Sequence, residues 1–232
     1  AGIKTVSFID IWTNYKNRFI YKGNKVFPDT ILSIDDKCTE EMIDDGIPAN
    51  LIKEVGQPYL EDICNTIPPL GKKIVIPIQP IKKTRGDALG YDEHDFLKVI
   101  LEALKNTDIE NQIYITSHPD SNFANIQKSR VNIGAGRGLI DIKDAHTLLG
   151  MFSMQMIVAY IWGRKVASIQ PGLLVEDPCP LSRWGLVPVI QDSQHLKNFM
   201  KEPVDNNSAQ ILMKKIVGSQ DRFNNYLMQG IA

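Results

Sequence analysis

The sequence predicts an α/β protein: a Rossmann-like, three-layer domain built on a mainly parallel sheet, with a partial second domain ahead of it. Three observations carry this. From Lys73 onward, short apolar runs alternate with amphipathic segments of helix length over short connections, the pattern of βα units. Four of the runs stop on a polar residue. Ile74–Ile78 ends at Gln79-Pro80, Gln112–Thr116 at Ser117-His118-Pro119, Leu148–Phe152 at Ser153, and Val166–Ile169 at Gln170-Pro171-Gly172. Parallel strands would bring these stops to one rim, and open α/β sheets bind ligands outside the carboxyl ends of their strands. Finally, Asn65-Thr66-Ile67-Pro68-Pro69-Leu70-Gly71 has linker chemistry, with two prolines and a glycine favouring extended backbone. It divides the chain into a partial Rossmann-like segment and linker, 1–66, and a larger domain, 67–232.

The elements follow in order. Lys4–Ile9, Ile31–Ile34 and Leu51–Val55 are strand-like, and Thr39–Asp45 reads as a short helix closed by Gly46 and Pro48. Beyond the linker come strand Lys73–Gln79, a polar loop Lys82–Asp92, and helix Asp95–Lys105 with Phe96, Val99, Ile100 and Ala103 on one face. Strand Gln112–Thr116 precedes a weak helix at Asn122–Ser129. A run near Arg130–Ile133 leads to Gly134-Ala135-Gly136-Arg137-Gly138, read as a loop. A strand near Thr147–Met151, helix Ser153–Trp162, strands Val166–Ile169 and Val187–Ile190, and helices Gln191–Met200 and Ser208–Leu227 complete the chain.

Composition narrows the function. The 232 residues are 43% hydrophobic with a net charge of -1, so no global attraction to nucleic acid or anionic membrane is expected. No apolar run reaches the ~18–20 residues of a membrane span. Cys38, Cys64 and Cys179 are far apart and odd in number, which fits free buried thiols, a reducing compartment and a cytoplasmic location. The start Ala1-Gly2-Ile3, without an initiator methionine, reads as a truncation. The four histidines show no metal-ligand spacing, so no metal is expected. The sequence has no G-x-S-x-G hydrolase elbow.

Several residues carry candidate chemistry. Ser153 opens a helix directly after a strand, where free N–H groups favour phosphate, although serine also caps helices without a ligand. His118 on the rim suits a hydrogen bond donated to a phosphate or proton transfer, or else a structural hydrogen bond in a turn. Gln79 and Gln170 suit a base or a sugar. Gln170 ranks higher, because Pro171 and Gly172 bring backbone close to the rim. The glycines around Arg137 do not match G-x-G-x-x-G, yet Arg137 could reach an anion from that loop. Lys82-Lys83-Thr84-Arg85-Gly86 is either a lid over an anionic ligand or a solvated loop. Asp10, Trp12, Asn14, Tyr15 and Arg18 suit interdomain packing and acceptor binding equally.

The order of these motifs resembles GT-B-fold proteins, nearest the nonhydrolysing UDP-N-acetylglucosamine 2-epimerases and polysaccharide glycosyltransferases. Ala145–Ser153 is similar to that group's "aDlviG-x-S", and Val158–Val166 to its "EA-x-x-x-G-k-p-v". His118-Pro119 is similar to the "HP" that ends an earlier strand, and Gly56-Gln57-Pro58 to the "G-x-P" that closes the amino-terminal domain. The resemblance covers most of Ile31–Gly172. It implies a carboxyl-terminal GT-B domain that binds a nucleoside-diphosphate sugar as substrate in an interdomain cleft, with no separate cofactor. Ser153 would contact phosphate, with His118 as the catalytic residue in the same site.

One position departs from the pattern. Where the helix glutamate of these proteins commonly holds the ribose hydroxyls, this chain has Val158, which accepts no hydrogen bond. The readings that follow are a glycosyltransferase or nucleotide-sugar epimerase acting on surface polysaccharide, or a non-catalytic α/β binding or assembly module. A flavodoxin-like nucleotide or flavin binder is a third. Peripheral membrane association and self-association through an apolar face of Ala1–Ile63 are compatible with either main reading.

Overall fold

The computed structural model describes residues 2–105, 107, 112–117, 132–136, 138–204 and 207–230. The chain forms two compact units, Ala1–Thr66 with Ile211–Ala232, and Ile67–Gln210.

The first unit opens with β1 (Val6–Phe8), the hairpin strands β2 (Ile20–Tyr21) and β3 (Asn24–Lys25), and β4 (Thr30–Ser33). Helix α1 (Asp36–Asp44), strand β5 (Ile52–Glu54) and helix α2 (Pro58–Asn65) follow. Strands β1, β4 and β5 form a parallel sheet in the order β1-β4-β5. Asp35 caps α1 by accepting the Cys38 N–H at 2.7 Å, and it also accepts the Trp12 indole N–H at 3.0 Å. Burial pushes its carboxyl up. The Tyr15 hydroxyl donates to Glu41 at 2.6 Å. Trp12 and Tyr15 are therefore buried inside this unit, anchored to α1 and its cap. Helix α2 was not anticipated; Pro58 at its start pre-sets the helical φ.

The second unit contains β6 (Lys73–Ile78), α3 (Ile81–Arg85), α4 (Glu93–Leu104), β7 (Ile113–Ser117), β8 (Asn132–Ala135) and α5 (Leu139–Lys143). Then come β9 (Ala145–Gly150), α6 (Met154–Ile161), β10 (Lys165–Ile169), α7 (Pro180–Arg183), β11 (Val189–Ile190) and α8 (Ser193–Lys201). The sheet is parallel throughout, in the order β11-β10-β9-β6-β7-β8. Alternate residues Ile74, Ile76, Ile78, Leu149, Ala167 and Ile169 pack with Phe96 and Ile100 of α4 and Leu196 of α8 in one core. Helices α5 and α6 pack with β9, and α6 is buried from Met156 to Ile161. This is the three-layer parallel architecture that the alternation predicts.

Two local expectations are corrected. Part of the expected loop Lys82–Asp92 is helix α3, where Thr84 back-bonds to the Pro80 carbonyl at 2.9 Å. The expected glycine loop is partly strand β8, because its backbone pairs beside β7. Between β8 and β9 the chain also forms the short helix α5. The weak helix expected at Asn122–Ser129 lies outside the described residues.

The linker prolines are held down within the second unit. One guanidinium nitrogen of Arg164 donates to the carbonyls of Pro68 (3.1 Å), Pro69 (2.8 Å) and Lys143 (3.1 Å).

The chain closes with α9 (Asn207–Ile216) and α10 (Ser219–Gly230). The sequence suggests one helix here; Gly218, at φ +80°, breaks it in two. The unit boundary falls inside α9, so residues 211–230 belong with the first unit rather than with the 67–232 segment that the sequence delimits. Glu61 of α2 accepts the Gly218 and Gln220 N–H groups at 2.5 and 2.7 Å, capping α10 from outside the helix. The Gln57 N–H donates to Ser219 Oγ at 3.0 Å, and Phe8 meets Phe223 edge-on at 5.4 Å. Such anchors are invisible to local pattern. The three cysteines are buried free thiols, and burial pushes Cys38 up to about 12.

Candidate functional site

In the second unit the chain starts at β6, builds outward through β7 and β8, then returns to the other side of β6 to lay down β9, β10 and β11. The switch point lies between β6 and β9, and ligands bind outside the carboxyl ends at such a point. The four polar stops end neighbouring parallel strands, β10-β9-β6-β7, so they line one rim. Ser117 lies level with Ile78 in the register.

The β9–α6 turn is tied from both sides. Gln79, just past β6, crosses the switch point and accepts the Phe152 N–H on Oε1 at 3.2 Å. From β10, the fully buried Ser168 hydroxyl donates to the Met151 carbonyl. This fixes where α6 begins. Ser153 stands at its N-cap in extended conformation, yet its side chain makes no capping bond. Ser153 Oγ is buried without a partner, and so is Gln155 Oε1 in the first turn. The Ser153 hydroxyl and the free N–H groups of this helix start are donors that the protein itself leaves unsatisfied.

Gln170 behaves differently. It is fully buried, and its Nε2 donates to Ser168 Oγ at 2.8 Å and Asp177 Oδ1 at 2.6 Å. The Tyr91 hydroxyl donates weakly to its Oε1 at 3.5 Å. Asp177 also accepts from the Cys179 N–H and the Ser182 hydroxyl. Burial and the nearby Asp177 charge push the Tyr91 phenol far up. Gln170 thus braces the loop after β10 from below and presents no free amide at the rim. Gly172, at φ +73°, carries that loop against Gly90, where an added Cβ would lie 2.5 Å from the Gly172 carbonyl oxygen.

Beside the switch point, α3 carries the basic cluster. Lys82 pairs with Asp87, whose hydrogen bond raises the lysine's pKa. Val158 is buried in the middle of α6, so the position matched to a helix glutamate serves the core. His118 and Arg137 lie outside the described residues. The structure therefore brings Gln79 and Ser153 together, turns Gln170 to a bracing role and leaves Gly172 in the neighbouring turn. Sequence reasoning missed Gln155, Ser168 and Asp177. Ser168, a polar residue inside an apolar strand run, and the turn signal Asp177-Pro178 were the available hints.

Among the described residues no group of three His, Cys, Asp or Glu side chains is placed to hold a metal ion. No described helix is long and apolar enough to cross a membrane.

No protein-family profile and no curated protein matches the sequence. Solved structures do match. One is the UDP-GlcNAc 2-epimerase from Neisseria meningitidis bound to UDP-GlcNAc, with TM-score 0.58, 11% identity, and coverage of 87% of this chain and 62% of that one. A second is MnaA of S. aureus with UDP, with TM-score 0.56, 11% identity, and coverage of 88% and 61%. A third is HepE of Anabaena with UDP and glucose, with TM-score 0.51, 12% identity, and coverage of 88% and 63%. This chain therefore spans less than two thirds of each of these structures. At such identities the likeness establishes the fold, and that fold is GT-B-like and Rossmann-like.

Proposed function

We propose that the rim at the β6/β9 switch point binds the diphosphate of a nucleoside-diphosphate sugar. On this reading the chain is part of a glycosyltransferase or nucleotide-sugar epimerase that serves surface-polysaccharide synthesis. The observation that carries it is the unsatisfied start of α6: the Ser153 hydroxyl is orphaned beside free N–H groups, in a turn held by Gln79 and Ser168. The likeness to proteins solved with UDP or UDP-GlcNAc supports it.

The chemistry asked of these groups is electrostatic. As the bond from sugar to diphosphate breaks, negative charge grows on the leaving oxygens. Fixed N–H dipoles and the Ser153 hydroxyl stabilise that charge without reorganising. Arg137 and Lys82 would add positive charge, and His118 would hold or move a proton at the same rim.

Val158 favours a second reading, a non-catalytic binding module, because the helix lacks a carboxylate for ribose. Thermal denaturation with UDP tests the shared premise. Saturating UDP, at about 100 times its Kd, is expected to add about 2.7 kcal/mol and to raise the melting temperature by several degrees. Absence of a shift with UDP, GDP, ADP and CDP would overturn the nucleotide reading.

A further inference from the structure

The opposite edge of the same sheet holds a cavity of about 400 Å³ that the nucleotide reading does not use. It lies at the amino-terminal ends of the strands, between the starts of β6, β9 and β10 and the chain that follows α8. Its polar wall carries two cations, Lys72 and Lys165, and the imidazole of His146, whose pKa burial and the Lys165 and Arg164 charges lower, against the single carboxylate of Glu202. Its remaining wall includes Ile74, Met200 and Val204, which are apolar.

Lys165 is the informative member. Only 5% of it is exposed, and its ammonium forms no ion pair among the described residues. It donates to the backbone carbonyls of Phe199 and Glu202 and sits 4.5 Å from the centre of the Phe199 ring. Two of its three N–H donors go to backbone carbonyls and the ammonium stands over the ring face, so its charge meets dipoles but no described carboxylate within ion-pair distance. Burial depresses its pKa, as expected for a charge without a full partner. His146 adds a polar edge. Its Nδ1 is hydrogen-bonded to Thr147 Oγ1 at 2.9 Å, which leaves Nε2 for the cavity side of the ring. Lys72 is exposed at the mouth. A buried cation held only by carbonyls and a ring face is costly unless an anion offsets it.

We propose that this cavity is a second binding site, for an organic anion with a compact anionic head and a short apolar body. The head lies among Lys165, His146 and Lys72, and the body against Ile74, Met200 and Val204. The site is independent of the nucleotide rim.

Sodium octanoate serves as the probe, with inorganic phosphate as a head without a body, both followed by titration calorimetry on the full chain. Octanoate is expected to bind saturably, and phosphate about tenfold more weakly because it forgoes the apolar contact. Lys72→Glu changes only an exposed side chain and is expected to weaken octanoate about tenfold. His146→Phe, which fills the mouth, is expected to weaken it as much. Both variants should keep the full thermal response to UDP, so a failure here is distinguishable from a failure of the nucleotide reading. Non-saturable uptake of octanoate, or saturable binding that neither substitution alters, would overturn the proposal.

Discussion

A Ser153→Asp substitution is expected to leave the free protein within about 1 kcal/mol of its present stability and to weaken binding of UDP by about thirtyfold or more. Aspartate caps helices as well as serine does, and its charge suits a helix start, gains of about 0.3–1 kcal/mol. Ser153 makes no capping bond to lose. Against a bound diphosphate the same carboxylate is repulsive, by about 4 kcal/mol per pair of charges at 4 Å and an effective dielectric constant of 20. Even half of that weakens binding roughly thirtyfold. Calorimetric titration with UDP and a urea melt measure the two effects separately. A structural cap would show the opposite pattern, with stability altered and binding intact. Ser153→Ala should be milder, about 1 kcal/mol of binding for one lost hydroxyl donor.

The largest loss of stability is expected at Gly71. This glycine lies just before β6, against the residue that precedes β9. Its N–H donates to the Ala145 carbonyl at 3.2 Å, and the Lys72 and Lys73 N–H groups both donate to the Asp144 carbonyl at 3.0 Å. An added Cβ would fall 1.8 Å from the Asp144 carbonyl oxygen and 2.0 Å from its carbon. Those are backbone atoms that no rotamer change can move aside. Gly71→Ala must therefore separate β6 from β9 at their starts, on the two strands that flank the switch point. Overpacking of this kind costs about 1–3 kcal/mol, and each displaced backbone hydrogen bond adds about 1. A total near 3 kcal/mol would appear as a lower urea midpoint. Gly2→Ala, where an added Cβ meets nothing within 4 Å, is the neutral control.

These two positions also show how far the sequence could be read. The strand runs and the helix from Ser153 were legible because period and length are local properties. Ser153 could be singled out because a helix start is local too. The ranking of the two glutamines was not local. Gln79 has a role because β9 lies beside β6, although the whole α3–α5 stretch separates them in sequence. Gln170 is occupied because Asp177 folds back beneath it. Helix α3 was hidden because five residues, four of them polar, carry almost no periodic signal. The assignment of residues 211–230 rests on Glu61 and Gln57, about 160 residues away.

The central claim is that the start of α6 is where a nucleoside diphosphate sits. Amide chemical-shift mapping on labelled protein, with UDP added to saturation, tests it most directly. The account predicts the largest shifts at Phe152, Ser153, Met154 and Gln155, smaller ones at Gln79 and Ser168, and none at Lys72 or His146. Shifts that spare Phe152–Gln155, or that cluster at Lys72 and His146, would contradict it.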